Sequence, residues 1–303
     1  MQDNQTCTDK TSTSEVRPNK DKGLTFYGRR ICQHFEGVEN IPYEENPIPA
    51  DRIDRIFCKS SESMDELPDC SVHFMVTSPP YNCGKPYDLD LDLTEYLQFL
   101  KRVLVETYRV LIPGGRMAIN IAGLGRRPYI ALQAHVMMLS IDIGFLPRGG
   151  IIWVKAKGKS GSCAWGSWRS ASNPTLRDLH EYVLLFSKAR FDRAQKGNST
   201  IGRDEFLEAT TSLWYIPPES PRRVKHPAPF PEALVERLIN LYTFEGDIVL
   251  DAFIGSGTTA VAALKNSRHF IGYETCPEYV ALAEARLTSL SLPERNSRGA
   301  VSA

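Results

Sequence analysis

The chain has 303 residues, with 36 Lys and Arg against 36 Asp and Glu, so it carries no net formal charge. It holds no apolar run of about 18 residues, and its first residues, Met1 to Thr6, lack a basic-plus-apolar leader pattern. No helical membrane anchor is expected, and a soluble, unexported, cytoplasmic protein is. The seven cysteines are scattered and never spaced C-x-x-C, which argues against a disulfide framework or a zinc site.

In chain order, residues 1–22 are polar and read as a disordered tail. Residues 23–50 mix aromatics with turn formers and read as an ordered approach segment. Ile53–Phe57 and Val72–Val76 are predicted strands, with a short helix over Ser61–Leu67 between them. The second strand runs into Thr77-Ser78-Pro79-Pro80-Tyr81. Two successive prolines lack N–H groups and fix φ, so the chain must leave the strand in a rigid extended turn. Hydroxyl and carbonyl acceptors beside an aromatic ring suit a planar ligand with an exocyclic amino group, and a nucleobase is such a ligand. The bland alternative is a proline-stiffened loop around a buried tyrosine, and the rest of the chain must decide between them.

Further along, Thr94 is the expected N-cap of a helix whose Tyr96, Leu97, Leu100, Leu104 and Tyr108 share one face. That helix is predicted to stop at Pro113-Gly114-Gly115, with Met117–Ile121 returning as a strand. A helix over 129–143 follows, then strands Ile151–Lys155 and Tyr182–Ser187. Residues 156–178 are rich in Gly, Ser and Trp and too irregular for core. Pro231–Tyr242 is a predicted helix. Alternating strands and helices imply an α/β fold, a doubly wound and mostly parallel sheet.

The last segment is the most structured in pattern. Ile248-Val249-Leu250-Asp251 reads as a buried strand, Phe253-Ile254-Gly255-Ser256-Gly257-Thr258 as a glycine turn, Thr259 to Asn266 as a helix, and Phe270–Tyr273 as a strand ending on Glu274. In such a unit a nucleoside sits over the glycines and the acid takes ribose hydroxyls. A phosphate-cradling loop requires a lysine after its last glycine, but Thr258-Thr259 stand there; the third glycine of a dinucleotide fingerprint is also missing. A nucleoside without phosphates is left, and S-adenosyl-L-methionine fits.

Ser-Pro-Pro-Tyr upstream, Phe-x-Gly-x-Gly-Thr downstream and His226-Pro227-Ala228-Pro229-Phe230-Pro231 between them resemble the amino-group DNA methyltransferases. The catalytic motif precedes the cofactor motif, the order of the β group, and the resemblance covers residues 50–290. It implies an S-adenosylmethionine-dependent methyltransferase fold in permuted order, with a small target-recognition lobe. It also implies transfer of a methyl group to the N4 amine of a flipped cytosine in double-stranded DNA. Adenine N6 is the alternative, since Ser-Pro-Pro-Tyr accompanies mostly the former and Asp-Pro-Pro-Tyr the latter. An RNA or protein-amine methyltransferase and an inactive DNA-binding module are the remaining readings.

On that resemblance Ser78 Oγ and the Pro79 carbonyl polarise the amine, Pro80 stiffens the turn and Tyr81 stacks on the base. Gly255 and Gly257 approach the methionine part of the cofactor. Thr258 or Thr259 bonds its carboxylate, Asp251 its ammonium and Glu274 the ribose. Phe253, His226 and Phe230 pack beside it. The family's Gly-Asp before the catalytic motif is replaced by Cys58-Lys59-Ser60, so Ser60 or a backbone group is the expected substitute for adenine-ring recognition.

Between Arg148 and Arg203 eleven Lys and Arg face three acids. Trp165, Trp168, Arg169 and Arg177 are candidates for groove and base contacts, and Lys157, Lys159, Arg222 and Arg223 for phosphates. The expected organisation is a tail at 1–22, a catalytic half at 23–155 and a target-recognition region at 156–222, which includes a returning strand near 182–187. A cofactor half at 223–290 and a second tail at 291–303 complete it. The resemblance further implies pairing with a cognate restriction endonuclease, a nucleoid location in a prokaryote, and a homodimer as in many β-group relatives.

Overall fold

A computed structural model of the protein describes residues 41–82, 84, 90–125, 127–155, 165–219 and 231–291. The two tails, Cys83, Lys157, Lys159, Arg222, Arg223, His226 and Phe230 lie outside the described residues. Eight strands form one sheet in the order β1-β8-β7-β2-β3-β5-β4-β6. They are β1 (Arg55–Phe57), β2 (Val72–Thr77), β3 (Leu111–Ile121), β4 (Phe145–Val154), β5 (His180–Lys188), β6 (Leu213–Tyr215), β7 (Ile248–Asp251) and β8 (His269–Tyr273). Neighbours are parallel except at β5, which runs antiparallel to both β3 and β4. The sheet is therefore mostly parallel, with one inverted strand.

Helices α1 (Leu93–Val110) and α2 (Leu132–Ile143) cover one face of the sheet. Tyr96, Leu100 and Val136 pack there on Met75, Met117, Leu250 and Ile271. The other face carries α4 (Glu232–Tyr242) and α5 (Thr258–Lys265), whose Leu234, Leu238, Ala260 and Ala263 meet Phe74, Val76, Val249 and Phe270. Met75 and Leu250 on one side, Phe74 and Val249 on the other, are the period-2 alternation of strands buried on both faces. The described residues also hold helices α3 (Arg203–Ala209) and α6 (Pro277–Ser291). Among the described residues no helix is long and apolar enough to cross a membrane.

Several expected boundaries move, each for a visible reason. The N-cap of α1 is Asp92 rather than Thr94: Glu95 N donates to Asp92 Oδ1 at 2.8 Å and Asp92 N to Glu95 Oε2 at 2.9 Å. That reciprocal box satisfies two end groups at once, which a threonine two residues later does not. Ser61–Leu67 forms turns, not a helix, because tertiary partners claim its backbone. Arg109 donates to the Met64 carbonyl at 2.9 Å and to the Leu67 carbonyl at 2.9 Å, while Met64 N donates to Glu106 at 2.8 Å. Helix α1 ends at Val110, ahead of Pro113-Gly114-Gly115, where the buried Lys188 ammonium donates to the Arg109 and Leu111 carbonyls at 3.1 and 2.6 Å. The Pro-Gly-Gly segment lies within β3 as a bulge, since the partner of β2 jumps from Leu111 to Arg116 between Val72 and Phe74. β4 likewise begins at Phe145 rather than Ile151, through a register shift between Pro147 and Gly149. α2 begins at Leu132 because Leu124 and Ile130 first exchange a bridge.

The glycine turn positions the site most strictly. Gly257 has φ +81°, and a Cβ there would stand 2.8 Å from Ala283 Cβ of α6. Gly257→Ala is therefore expected to cost about 1–3 kcal/mol through strain and overpacking. Thermal unfolding would register this as a fall in Tm of several degrees, and an unchanged Tm would contradict the close packing.

Candidate active site

β2 and β7 are adjacent and parallel, with Met75 opposite Leu250, so the Ser-Pro-Pro-Tyr turn and the glycine turn leave the sheet at the same edge. A buried carboxylate ties the two together. Asp251 Oδ1 accepts from Thr77 Oγ1 at 2.5 Å and from Phe253 N at 3.0 Å, and Oδ2 accepts from Thr259 Oγ1 at 2.5 Å. Burial raises the Asp251 pKa from 3.8 to about 6, against the opposing pull of these three donors. Asp251 is 4% exposed and Thr259 1%, and the two bolt the turns together. Thr258 is also buried, with its hydroxyl 3.3 Å from Arg286 Nη1. The Asp251 carboxylate and the Thr259 hydroxyl thus engage each other here, and the Thr258 hydroxyl engages Arg286.

Glu274, at the end of β8, remains partly exposed, with Oε2 accepting from Gly255 N at 3.1 Å and Oε1 from Cys276 N at 2.8 Å. Burial raises its pKa, while the Cys276 and Gly255 N–H groups act the other way. Phe253 is half-buried, its ring 5.8 Å from that of Phe99 on α1. Ser60 closes its own turn after β1, donating to Glu62 Oε2 at 3.0 Å and accepting from Glu62 N at 3.3 Å.

On the catalytic side, Pro79 is buried and Ser78, Pro80 and Tyr81 are half-buried. Tyr81 packs its ring against the core, and its hydroxyl lies 3.2 Å from Ser78 Oγ. The same hydroxyl donates to Glu181 Oε2 at 3.1 Å and accepts from Asn120 Nδ2 at 2.9 Å. Asn120 Nδ2 also donates to Glu181 Oε2 at 2.6 Å, and Lys155 pairs with Glu181 Oε1. Burial, and then the Glu181 carboxylate, push the Tyr81 phenol well above its ordinary value. Tyr81 is thus anchored at its hydroxyl end, and only part of its ring can meet a base.

Asn120, Glu181 and Lys155 are missing from the sequence-derived site. Two of them left a trace in the sequence: Asn120 interrupts the apolar run Met117–Ile121, and Glu181 precedes the run Tyr182–Phe186. A buried polar side chain in a central strand requires partners, and here the partners are Ser78 and Tyr81.

The eleven-cation stretch is less available than its count suggests. Lys188 and Arg193 are buried, the latter against Asp247 at 2.7 Å; Lys155 pairs with Glu181, and Arg190 with Asp192 at 3.1 Å. These four of the eleven cations are thus buried or paired, while Arg148, Arg169, Arg177, Lys196 and Arg203 are exposed. Trp165 and Trp168 lie outside the buried core. Trp168 is 68% exposed, its ring 4.9 Å from that of Trp165, on a loop closed by the Gly166–Pro174 bridge. Arg169, at φ +51°, and Arg177 are exposed on the same stretch.

A sheet whose neighbouring parallel strands release a proline-locked polar corner and a glycine turn at one edge defines an α/β nucleoside-binding enzyme. The model of the N6/N4 DNA methylase family matches residues 72–285, and the chain belongs to that family. It is 31% identical over 270 residues to the type II methyltransferase M.MthZI of Methanothermobacter thermautotrophicus, covering 77% of this chain and 76% of that one. It is also 31% identical over 251 residues to M.HpaI of Haemophilus parainfluenzae, covering 78% and 74% respectively. The crystal structure of TTHA0409 from Thermus thermophilus, complexed with S-adenosyl-L-methionine, superposes with a TM-score of 0.64 at 29% identity, covering 78% of this chain and 93% of that one. The cytosine-N4-specific PvuII DNA methyltransferase shares the fold at 22% identity and a TM-score of 0.63, covering 84% and 92%. The fold is that of the S-adenosyl-L-methionine-dependent DNA methyltransferases.

Proposed function

We propose that this chain methylates the N4 amine of a cytosine in a specific double-stranded DNA sequence, as the protective half of a restriction–modification system. The observation that carries the reading is the Thr77–Asp251–Thr259 bolt, which holds the Ser78 corner beside the glycine turn on adjacent parallel strands. The serine heading the motif supports cytosine N4 over adenine N6.

The residues at the glycine turn fit S-adenosyl-L-methionine. Glu274 keeps a partly exposed carboxylate for ribose hydroxyls, Phe253 offers a half-buried ring, and Gly255 and Gly257 let the backbone approach closely. Bound there, the cofactor supplies an electrophilic methyl group on a sulfonium. Ser78 Oγ and the Pro79 carbonyl accept the amine hydrogens of an extruded base, drawing its nitrogen lone pair out of conjugation for in-line attack. The positive charge passes from the sulfonium to the methylated nitrogen, which then sheds a proton through Ser78 Oγ to solvent; so acidic a nitrogen needs no strong base, and the protein's contribution is chiefly position. The exposed Trp168, Arg169 and Arg177 are read as the groove-facing group. Lys157, Lys159, Arg222 and Arg223 are read as phosphate contacts, and His226 and Phe230 as the closing side of the cofactor site.

Single-molecule sequencing of DNA from cells expressing the chain is expected to show N4-methylcytosine in one short sequence context. N6-methyladenine would move the assignment to the other base, and unmodified DNA would overturn it.

A further inference from the structure

Ser78 can receive a hydrogen from an amine only if its own proton points elsewhere. The groups behind it settle where that proton goes. Glu181 is buried and salt-bridged to Lys155, and a carboxylate so paired accepts hydrogen bonds and donates none. Tyr81 has a single proton, and the charged Glu181 Oε2 at 3.1 Å is a nearer and stronger acceptor for it than the neutral Asn120 carbonyl at 3.4 Å. Asn120 turns both amide hydrogens the same way, to Glu181 at 2.6 Å and to Tyr81 at 2.9 Å. In doing so it leaves its own Oδ1 buried with no partner among the described residues. An orphaned acceptor is unfavourable, so this amide orientation serves its donors. With its proton given to Glu181, Tyr81 Oη can only accept from Ser78 across the 3.2 Å between them. Asn120 Nδ2 stands farther off, 3.4 Å from Ser78 Oγ, with both its hydrogens engaged at shorter range, so the serine lone pairs are left for the cleft.

We propose that Glu181, held by Lys155 and Asn120, fixes the polarity of the Ser78–Tyr81 chain and so selects a base with an exocyclic amine over one with a carbonyl at the same ring position. The assignment rests on the methyltransferase reading above. Glu181 touches no substrate and is a positioning residue.

The test compares Glu181→Gln with the wild-type chain. Glutamine keeps the shape but can offer an N–H to Tyr81, which reverses the chain and turns the Ser78 proton toward the cleft. Binding is measured on two duplexes of the sequenced target, differing only in cytosine or uracil at the modified position. If the mark proves to be on adenine, adenine and hypoxanthine are compared instead. The effect of the mispair on base extrusion cancels in the ratio between the two proteins.

The preference for the amine is expected to fall about tenfold in Glu181→Gln. Turnover should fall about 100-fold, with S-adenosyl-L-methionine affinity unchanged. Tyr81→Phe cuts the chain at its middle and is expected to lose the same preference; adding Glu181→Gln to it should then change the preference less than about twofold. A folded Glu181→Gln with wild-type preference overturns the assignment, as does an equal loss in both backgrounds. If Glu181→Gln does not fold, retention of the preference in Tyr81→Phe overturns it. Unmethylated DNA from the wild type removes the parent reading as well, whereas a methylating wild type with an unaltered preference in the variants removes this one alone.

Discussion

Replacing Ser78 with alanine is expected to slow methyl transfer by about 100-fold or more while leaving S-adenosyl-L-methionine affinity within about twofold. The separation follows from geometry. Ser78 directly follows β2 and, among the described residues, its hydroxyl bonds toward Tyr81 and Asn120, whereas the glycine turn is organised from β7 and β8. Removing the hydroxyl takes away an acceptor needed when the amine nitrogen pyramidalises, yet it leaves the Thr77–Asp251 bolt intact. Single-turnover kinetics beside calorimetric cofactor binding would measure both quantities. Equal losses in the two would mean that Ser78 shapes the cofactor site and has no separate part in the chemistry.

The second large effect is at Asp251. Its folded pKa of about 6 lies above the ordinary value of 3.8, so the folded chain holds this proton more tightly than the unfolded chain does. The resulting stabilisation is complete below the unfolded value and disappears as pH rises through about 6. Over that window the group loses on the order of 3 kcal/mol of stability. Asp251→Asn keeps an acceptor for Thr77 and Phe253 and offers Thr259 a donor, but it has no charge to bury. The stability of Asp251→Asn relative to the wild type is therefore expected to improve between pH 4 and pH 7. Glu45, whose pKa His73 lowers to about 2, pulls overall stability in the opposite direction with pH but is common to both proteins and cancels. Denaturant titrations at the two pH values give the comparison, and a constant difference would show that the carboxylate is ionised in the fold at no cost. Asp251→Ala, which leaves both threonine hydroxyls and Phe253 N unpaired, is expected to cost about 3–5 kcal/mol and to impair cofactor binding and turnover together.

Local chemistry made much of this protein legible from its sequence. Pro79-Pro80 must leave a strand, Gly255 and Gly257 must form a turn, and the apolar runs Val72–Val76 and Ile248–Leu250 must be buried strands. Those constraints act within a few residues, so their order along the chain was enough for the fold class and the family. Where several partners compete for one group, the tertiary structure decided. The helix expected over Ser61–Leu67 lost its backbone bonds to Arg109 and Glu106. Asp251 was read as a ligand-facing acid because its position beside the glycine turn invited that role; that Thr77 and Thr259 donate to it appears only in the fold. Glu181 and Asn120 carried no readable role as isolated polar residues in apolar strands; each acquired one only when the sheet placed β3 and β5 beside the Ser78 corner. Backbone punctuation is a property of the residue itself. The direction of a hydrogen bond is a property of the group across from it, and only folding supplies that group.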